Sequence, residues 1–159
     1  MQVLISDANV LIDMEDGGLL ELMFSLPYQF KVSDMLYRDE LEAQHSHLLQ
    51  LGLQPTVLET EGMLDAMRMA ATYTGPSRYD CFCMALAKQE ACPLLTGDKD
   101  LRKAAQQEAV RVMGTIWLVE QLVTHSLIDK IAAQTAYTSM KAAGSRLPWK
   151  QALQRLSQI

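Results

Sequence analysis

The chain has 159 residues, enough for one domain with a proper core and too few for two comfortable ones. Hydrophobic residues make up 49% and charged residues 21%, which excludes a disordered chain, and no apolar run approaches the roughly 20 residues of a membrane span. The net charge of -5 hides an asymmetry: residues 1–65 hold two bases against twelve acids, whereas residues 130–159 hold five bases and no acid.

The opening "MQVLISDANVLID" has no basic leader and carries Asp7 early, so a signal peptide is not expected. Residues 3–6, "VLIS", form an apolar run stopped by Asp7, a buried-strand pattern. Gly17 and Gly18 break the chain before the helical spacing of "LLELMFSL". "YQFKVS" (28–33) alternates like a strand, and Asp34 is placed to cap a helix bearing Leu36, Glu40 and Leu41. Gly52 and Pro55 end that stretch, and "TVLE" (56–59) is expected as the third strand.

"TEGMLDAMRMAATY" recurs apolar at three- and four-residue steps, as an amphipathic helix does. After the loop "GPSR" (75–78), "YDCFCMALAKQEA" reads as a buried helix. "CPLLT" reads as a strand, "KDLRKAAQQ" as a helix and "VRVM" as a strand. Helices are expected over 115–125 and 129–143, and Gly144 and Pro148 precede a short last helix. Short apolar strands alternating with helices predict an α/β protein, three-layer α/β/α with a central parallel sheet of about five strands. Residues 1–159 read as a single domain with a basic helical extension at about 129–159.

In such sheets the ligand crevice lies beyond the carboxyl ends of the strands. Asp7 and Asp98 fall at strand ends, Glu40 on the helix after the second strand, and Asp80 in the first turn of the helix after "GPSR". Asp100 follows two residues after Asp98. Carboxylates gathered in one crevice repel one another, and oxygen-only ligands suit hard cations such as Mg2+ or Mn2+. Such ions activate water and offset charge on a phosphodiester, so the chemistry implied is phosphoryl transfer to water. The plainer alternative is that Asp80 and Asp98 only cap helices.

"ISDANVLID", a Glu on the following helix, "SRYDCFCMALA" and "LLTGDKDLRKAA", in that order, resemble the PIN-domain family of small metal-dependent ribonucleases. That family includes many toxins of toxin–antitoxin pairs. The resemblance runs from residue 1 to about 125, and "VRVMGTIWLVEQLV" with "GSRLP" is similar to the tail of some members. It implies that Asp7, Glu40, Asp80 and Asp98 are catalytic acids and metal ligands, with Asp100 an extra ligand, usually through water. Asn9 then helps hold the first carboxylate, and Thr96 supplies the hydroxyl before the last acid. Asp39 and Glu42 compete with Glu40 for the second position, although helical phase places Leu36 just below Glu40. The family also implies one or two divalent ions, an RNA substrate, a homodimer and, for a toxin, a cognate antitoxin protein.

Lys99, Arg102 and Lys103 flank Asp98 and are candidate RNA-backbone contacts, the alternative being a solvated helix face. The basic end of the chain either packs near its own acids or meets a polyanion. Tyr79 is read as core. His45 and His47 stand two apart, on different helix faces, and do not suit a shared zinc. Cys81 and Cys83 lack a second pair, and the three cysteines point to reduced thiols in a cytoplasmic protein. "DANVLID" also echoes the opening of haloacid dehalogenase-type phosphatases, but Asn9 stands where their second Asp would be. An RNA-processing nuclease without an antitoxin and a non-catalytic PIN-fold binding protein are the remaining alternatives.

Overall fold

The computed structural model describes residues 1–159. β1 (Gln2–Ser6) is the central strand of a five-stranded sheet ordered β3-β2-β1-β4-β5, with β2 Tyr28–Ser33, β3 Gln54–Thr56, β4 Leu94–Leu95 and β5 Val112–Met113. Every pairing is parallel. Leu4, Ile5, Leu94 and Leu95 are fully buried, as strands covered on both faces require.

The chain builds outward from β1 through β2 to β3, then crosses to the other side of β1 to lay down β4 and β5. The order therefore reverses between β1 and β4, which is where a doubly wound sheet opens its crevice.

α1 (Ala8–Asp16) leaves β1 and packs with α9 (Thr115–Thr124) and α10 (Lys130–Ala142). α2 (Leu20–Met23) joins them, and α11 (Trp149–Ser157) packs on α10. α6 (Thr60–Thr72) packs on α7 (Arg78–Gln89), which lies against β1, β2 and β4. Residues Cys81 to Ala87 of α7 are all buried, so the expected buried helix and core cysteines hold. Together with α8 (Lys99–Gln107), these helices cover the sheet and give the three-layer α/β/α arrangement.

Three details depart from the sequence reading. The third strand is Gln54–Thr56 rather than 56–59; it is an edge strand, where Pro55 is tolerated because its missing N–H is not needed by a further neighbour. Asp34 does not cap a helix: it lies in the first turn of α3 (Asp34–Leu36), whose cap position is Ser33. The helix does not run evenly either. A π-helical turn, Tyr37–Leu41, separates α3 from α4 (Glu42–His45), and α5 (Leu48–Leu51) follows. Buried Leu36, Tyr37 and Leu41 anchor that turn in the core while Glu40 remains exposed.

Candidate active site

The adjacent strands β1 and β4 end together, Ser6 beside Leu95. The Asp7 backbone N–H donates to the Leu95 carbonyl at 3.1 Å, which fixes the first acid against the end of β4. Its carboxylate caps α1, accepting from the Val10 N–H at 2.9 Å. Asp98 caps α8 in the same way, accepting from the Leu101 N–H at 2.9 Å. Asp80 belongs to a capping box at the start of α7: it accepts from the Ser77 N–H at 2.9 Å, while the Ser77 hydroxyl accepts from the Asp80 N–H at 3.1 Å.

All three acids are therefore helix-cap groups, the role that the plainer reading gave to Asp80 and Asp98. Capping commits only one oxygen of each carboxylate, however: Oδ1 of Asp7, Oδ2 of Asp80 and Oδ1 of Asp98.

The structure brings Asp7, Glu40, Asp80 and Asp98 to one cleft of about 280 Å³. Asn9, Ser77, Tyr79, Leu36 and Ala8 complete its lining, and no Lys, Arg or His is among them. The consequence is visible in the acid–base properties. Burial pushes Asp7 up to about 7, and Asp80 and Asp13 add to the rise, while the Thr96 hydroxyl and the Val10 N–H hold it down. Burial also raises Asp80, helped by Asp98 and Asp100 and opposed by Ser77. Glu40 is raised by desolvation, then by the charges of Asp80 and Asp39. Burial and the neighbouring acids thus disfavour the ionised forms of Asp7, Asp80 and Glu40, a strain that a bound cation would relieve.

The other candidates separate clearly. Thr96 is buried, and its hydroxyl accepts from the Asp98 N–H at 3.1 Å, so it lies between the first and last acids. Asn9 lines the cleft but makes no hydrogen bond to Asp7; Val10 and Thr96 take that role. Asp39 lies outside the cleft lining and accepts a hydrogen bond from the Tyr79 hydroxyl at 2.5 Å. Glu42 is likewise absent from the lining.

Asp100 also lies outside it, packed so close to Gly75 that a methyl group there would come within 2.7 Å of its Cγ. It reaches the site only through its charge on Asp80. Lys99, Arg102 and Lys103 are exposed on α8 and form no ion pair.

Tyr79 is half-buried and lines the cleft, packing edge-on against Phe82 with Arg78 over its ring, so the core reading of this residue was incomplete. The S-x-x-D spacing of Ser77 and Asp80 was a legible cap signal that the sequence reading passed over. His45 and His47 do share a partner after all. Both reach Glu15, at 2.8 and 3.1 Å, because the helix ends between them and phase no longer separates them.

A larger groove of about 670 Å³ lies between α6 and α7. Its two bases, Arg68 and Lys88, are already paired with Asp65 and Glu108, and Glu59 and Glu61 also line it, so bases offset part of its acidic charge, as none does in the acid cleft.

No three His, Cys, Asp or Glu side chains converge closely enough to enclose a metal ion by themselves. The donors are all oxygen, which suits a hard cation such as magnesium, and Asp98 keeps Oδ2 without a hydrogen-bond partner, whereas Asp7 also accepts from the Thr96 hydroxyl.

The doubly wound parallel sheet with an acid-lined crevice at its switch point defines the class: an α/β protein whose ligand site lies at the carboxyl ends of its strands. Within it, a family model described as a PIN domain matches residues 3–159, and the chain belongs to the PIN-domain family, a nuclease fold. No curated protein matches the chain significantly. The matched family is not that of the dehalogenase-type phosphatases, and the match extends past residue 125 through the C-terminal helices, where "GSRLP" was similar to the tail of some members.

Proposed function

We propose that the protein is a divalent-metal-dependent endoribonuclease that hydrolyses phosphodiester bonds of RNA. The observation that carries this reading is the cleft itself: four carboxylates and no base. Asp7, Asp80, Asp98 and Glu40 would hold Mg2+ or Mn2+, with Asp100 acting at most through water from outside the lining. When bound, such an ion lowers the pKa of water and offsets phosphate charge.

The chain's own residues do the positioning. The three capped helix starts fix Asp7, Asp80 and Asp98, each with one oxygen tied to backbone or loop. Thr96 ties the last acid to the first. Lys99, Arg102 and Lys103 share a helix face at i, i+3 and i+4 and would hold the RNA backbone.

The test is cleavage of a labelled single-stranded RNA by the purified chain in manganese, with and without chelator. Absence of cleavage in inhibitor-free protein would support a non-catalytic PIN-fold binding protein instead.

The toxin role rests on the resemblance of the chain. An antitoxin would place an Arg or Lys among the acids as a tethered cation, matching the unbalanced charge. A small open reading frame overlapping the start of the gene would support it, and its absence would favour an RNA-processing nuclease. A homodimer is proposed through the exposed apolar residues of α6, Leu64 and Met67, and is checked by light scattering. A cytoplasmic location is proposed from the three unpaired cysteines.

A further inference from the structure

Of the chain's fourteen Lys and Arg side chains, only Lys31, Arg68, Lys88 and Arg155 are in ion pairs. The free ones include Arg146, in the extended segment that joins α10 to α11. That segment is seated on the carboxyl edge of the sheet. Met140 of α10 packs so tightly on Gly17 at the end of α1 that a methyl group there would lie 2.6 Å from Met140 Cε. Ser145 lies beside the Asp13 carboxylate, which Thr115 also holds, at 2.9 Å. A methyl group on Gly97 would touch Leu147 Cδ2 at 3.4 Å. The Trp149 indole N–H closes the segment by donating to the Ser145 carbonyl at 3.3 Å.

Exposure alternates along this segment. Ser145 and Leu147 are half-buried against the domain, and Arg146 between them is exposed. Leu147 lies near Gly97, the residue before Asp98, which brings the segment past the start of α8. Arg146 forms no ion pair, and the segment that carries it passes the start of α8, whose cap Asp98 lines the acid cleft.

Resting on the ribonuclease reading, we infer that residues 145–148 form a wall of the path of the RNA strand. Arg146 binds a backbone phosphate beside the one that is cut. A guanidinium suits this position because it presents a planar fork to phosphate oxygens and is charged at every working pH. Its role is positioning: it holds the strand over the acids and takes no part in bond breaking.

The test uses the full chain. An Asp80→Asn background prevents cleavage, and binding of a fluorescein-labelled oligouridylate is followed by anisotropy across a salt series in magnesium. Arg146→Gln should weaken binding about fivefold, the scale of an exposed charge contact. It should also lower the log–log salt slope by about 0.7, the value of one phosphate contact to a single strand. Arg146→Lys should restore the slope and part of the affinity. Arg111→Gln removes an exposed charge just before β5, at the opposite edge of the sheet, and should change neither.

With Asp80 intact, Arg146→Gln should raise KM more than it lowers kcat. If the parent cleaves RNA and Arg146→Gln behaves like Arg111→Gln, this inference fails and the ribonuclease reading stands. If the parent neither binds nor cleaves RNA, both fail.

Discussion

Asp98 accepts the Leu101 backbone N–H with Oδ1 at 2.9 Å and leaves Oδ2 without a hydrogen-bond partner. One side chain thus starts a helix and faces the cleft. Asparagine caps helices as well as aspartate does, so Asp98→Asn should keep α8 and remove a charge that raises Asp80. Without divalent ions the variant should melt at or above the parent temperature. Manganese, binding only the folded state, should raise the parent's Tm and raise the variant's much less. Equal gains in the two proteins would remove Asp98 from the ligand set. Asp98→Ala, which loses the cap, should cost about 1 kcal/mol.

Cleavage separates the acids by place. Asp7→Asn, Asp80→Asn and Glu40→Gln each remove a cleft charge with little change of shape, and each should lower the rate by more than about a hundredfold, since even outer-shell changes at metal sites reach that scale. Asp39→Asn changes the partner of the Tyr79 hydroxyl and removes the smallest of the influences that raise Glu40, and should leave most activity in place. The assay is manganese-dependent cleavage of labelled RNA. A fully active Asp80→Asn protein would strike that residue from the site, and an inactive Asp39→Asn with an active Glu40→Gln would exchange the two.

The parallel sheet was legible because its strands are short apolar runs between helical segments, and Asp7 and Asp98 were legible because strand ends at a switch point face the crevice. The π-helical turn was not. Nothing in "YRDEL" distinguishes it from α-helix, and it is tertiary packing of Leu36, Tyr37 and Leu41 that sets the turn carrying Glu40. β3 was misplaced by reading Pro55 as a terminator, which holds inside a sheet and not at its edge. Asn9 takes its place beside Asp7 from resemblance alone: it lines the cleft, while the hydrogen bonds to that carboxylate come from the Val10 N–H and the Thr96 hydroxyl. The segment at 145–148 gave no periodic signal, and its seat on Gly97 depends on contacts about fifty residues apart in sequence.

Glu108 joins three helices. It receives Arg68 Nη2 at 2.6 Å, Lys88 Nζ at 3.0 Å and the Tyr73 hydroxyl. Arg68 first, then Tyr73 and Lys88, outweigh desolvation and hold its carboxyl down at about 2. A depressed carboxylate contributes stability above its unfolded pKa, about 4.3, that is lost as pH falls toward 2. Arg68 and Lys88 are partly exposed, so solvent screening keeps the contribution to about 1 kcal/mol. Glu108→Gln should therefore lower Tm modestly at pH 6 and converge with the parent near pH 2. An unchanged Tm at pH 6 would show that the cluster contributes nothing measurable.

Asp7 has the opposite sign. Its folded pKa, about 7, lies above the unfolded value near 3.9, so the folded apo protein holds this proton more tightly than the unfolded chain. The stability this gives is fully present below pH 4 and is lost as pH rises through 7. The shift corresponds to roughly 4 kcal/mol at most, and relaxation of a charged cleft reduces it. Glu40 and Asp80 are raised as well and steepen the same slope. In chelator, the parent's Tm should fall between pH 5 and pH 8, and Asp7→Asn should flatten part of that fall. Manganese should act most strongly at the upper end, because a carboxylate must be ionised to hold it. The measurement is a set of melts of parent and Asp7→Asn at three pH values, with chelator and with manganese. Parallel curves for the two proteins in chelator would mean that Asp7 is ionised in the folded state at every pH tested, and the cleft would not carry the charge strain that calls for a cation.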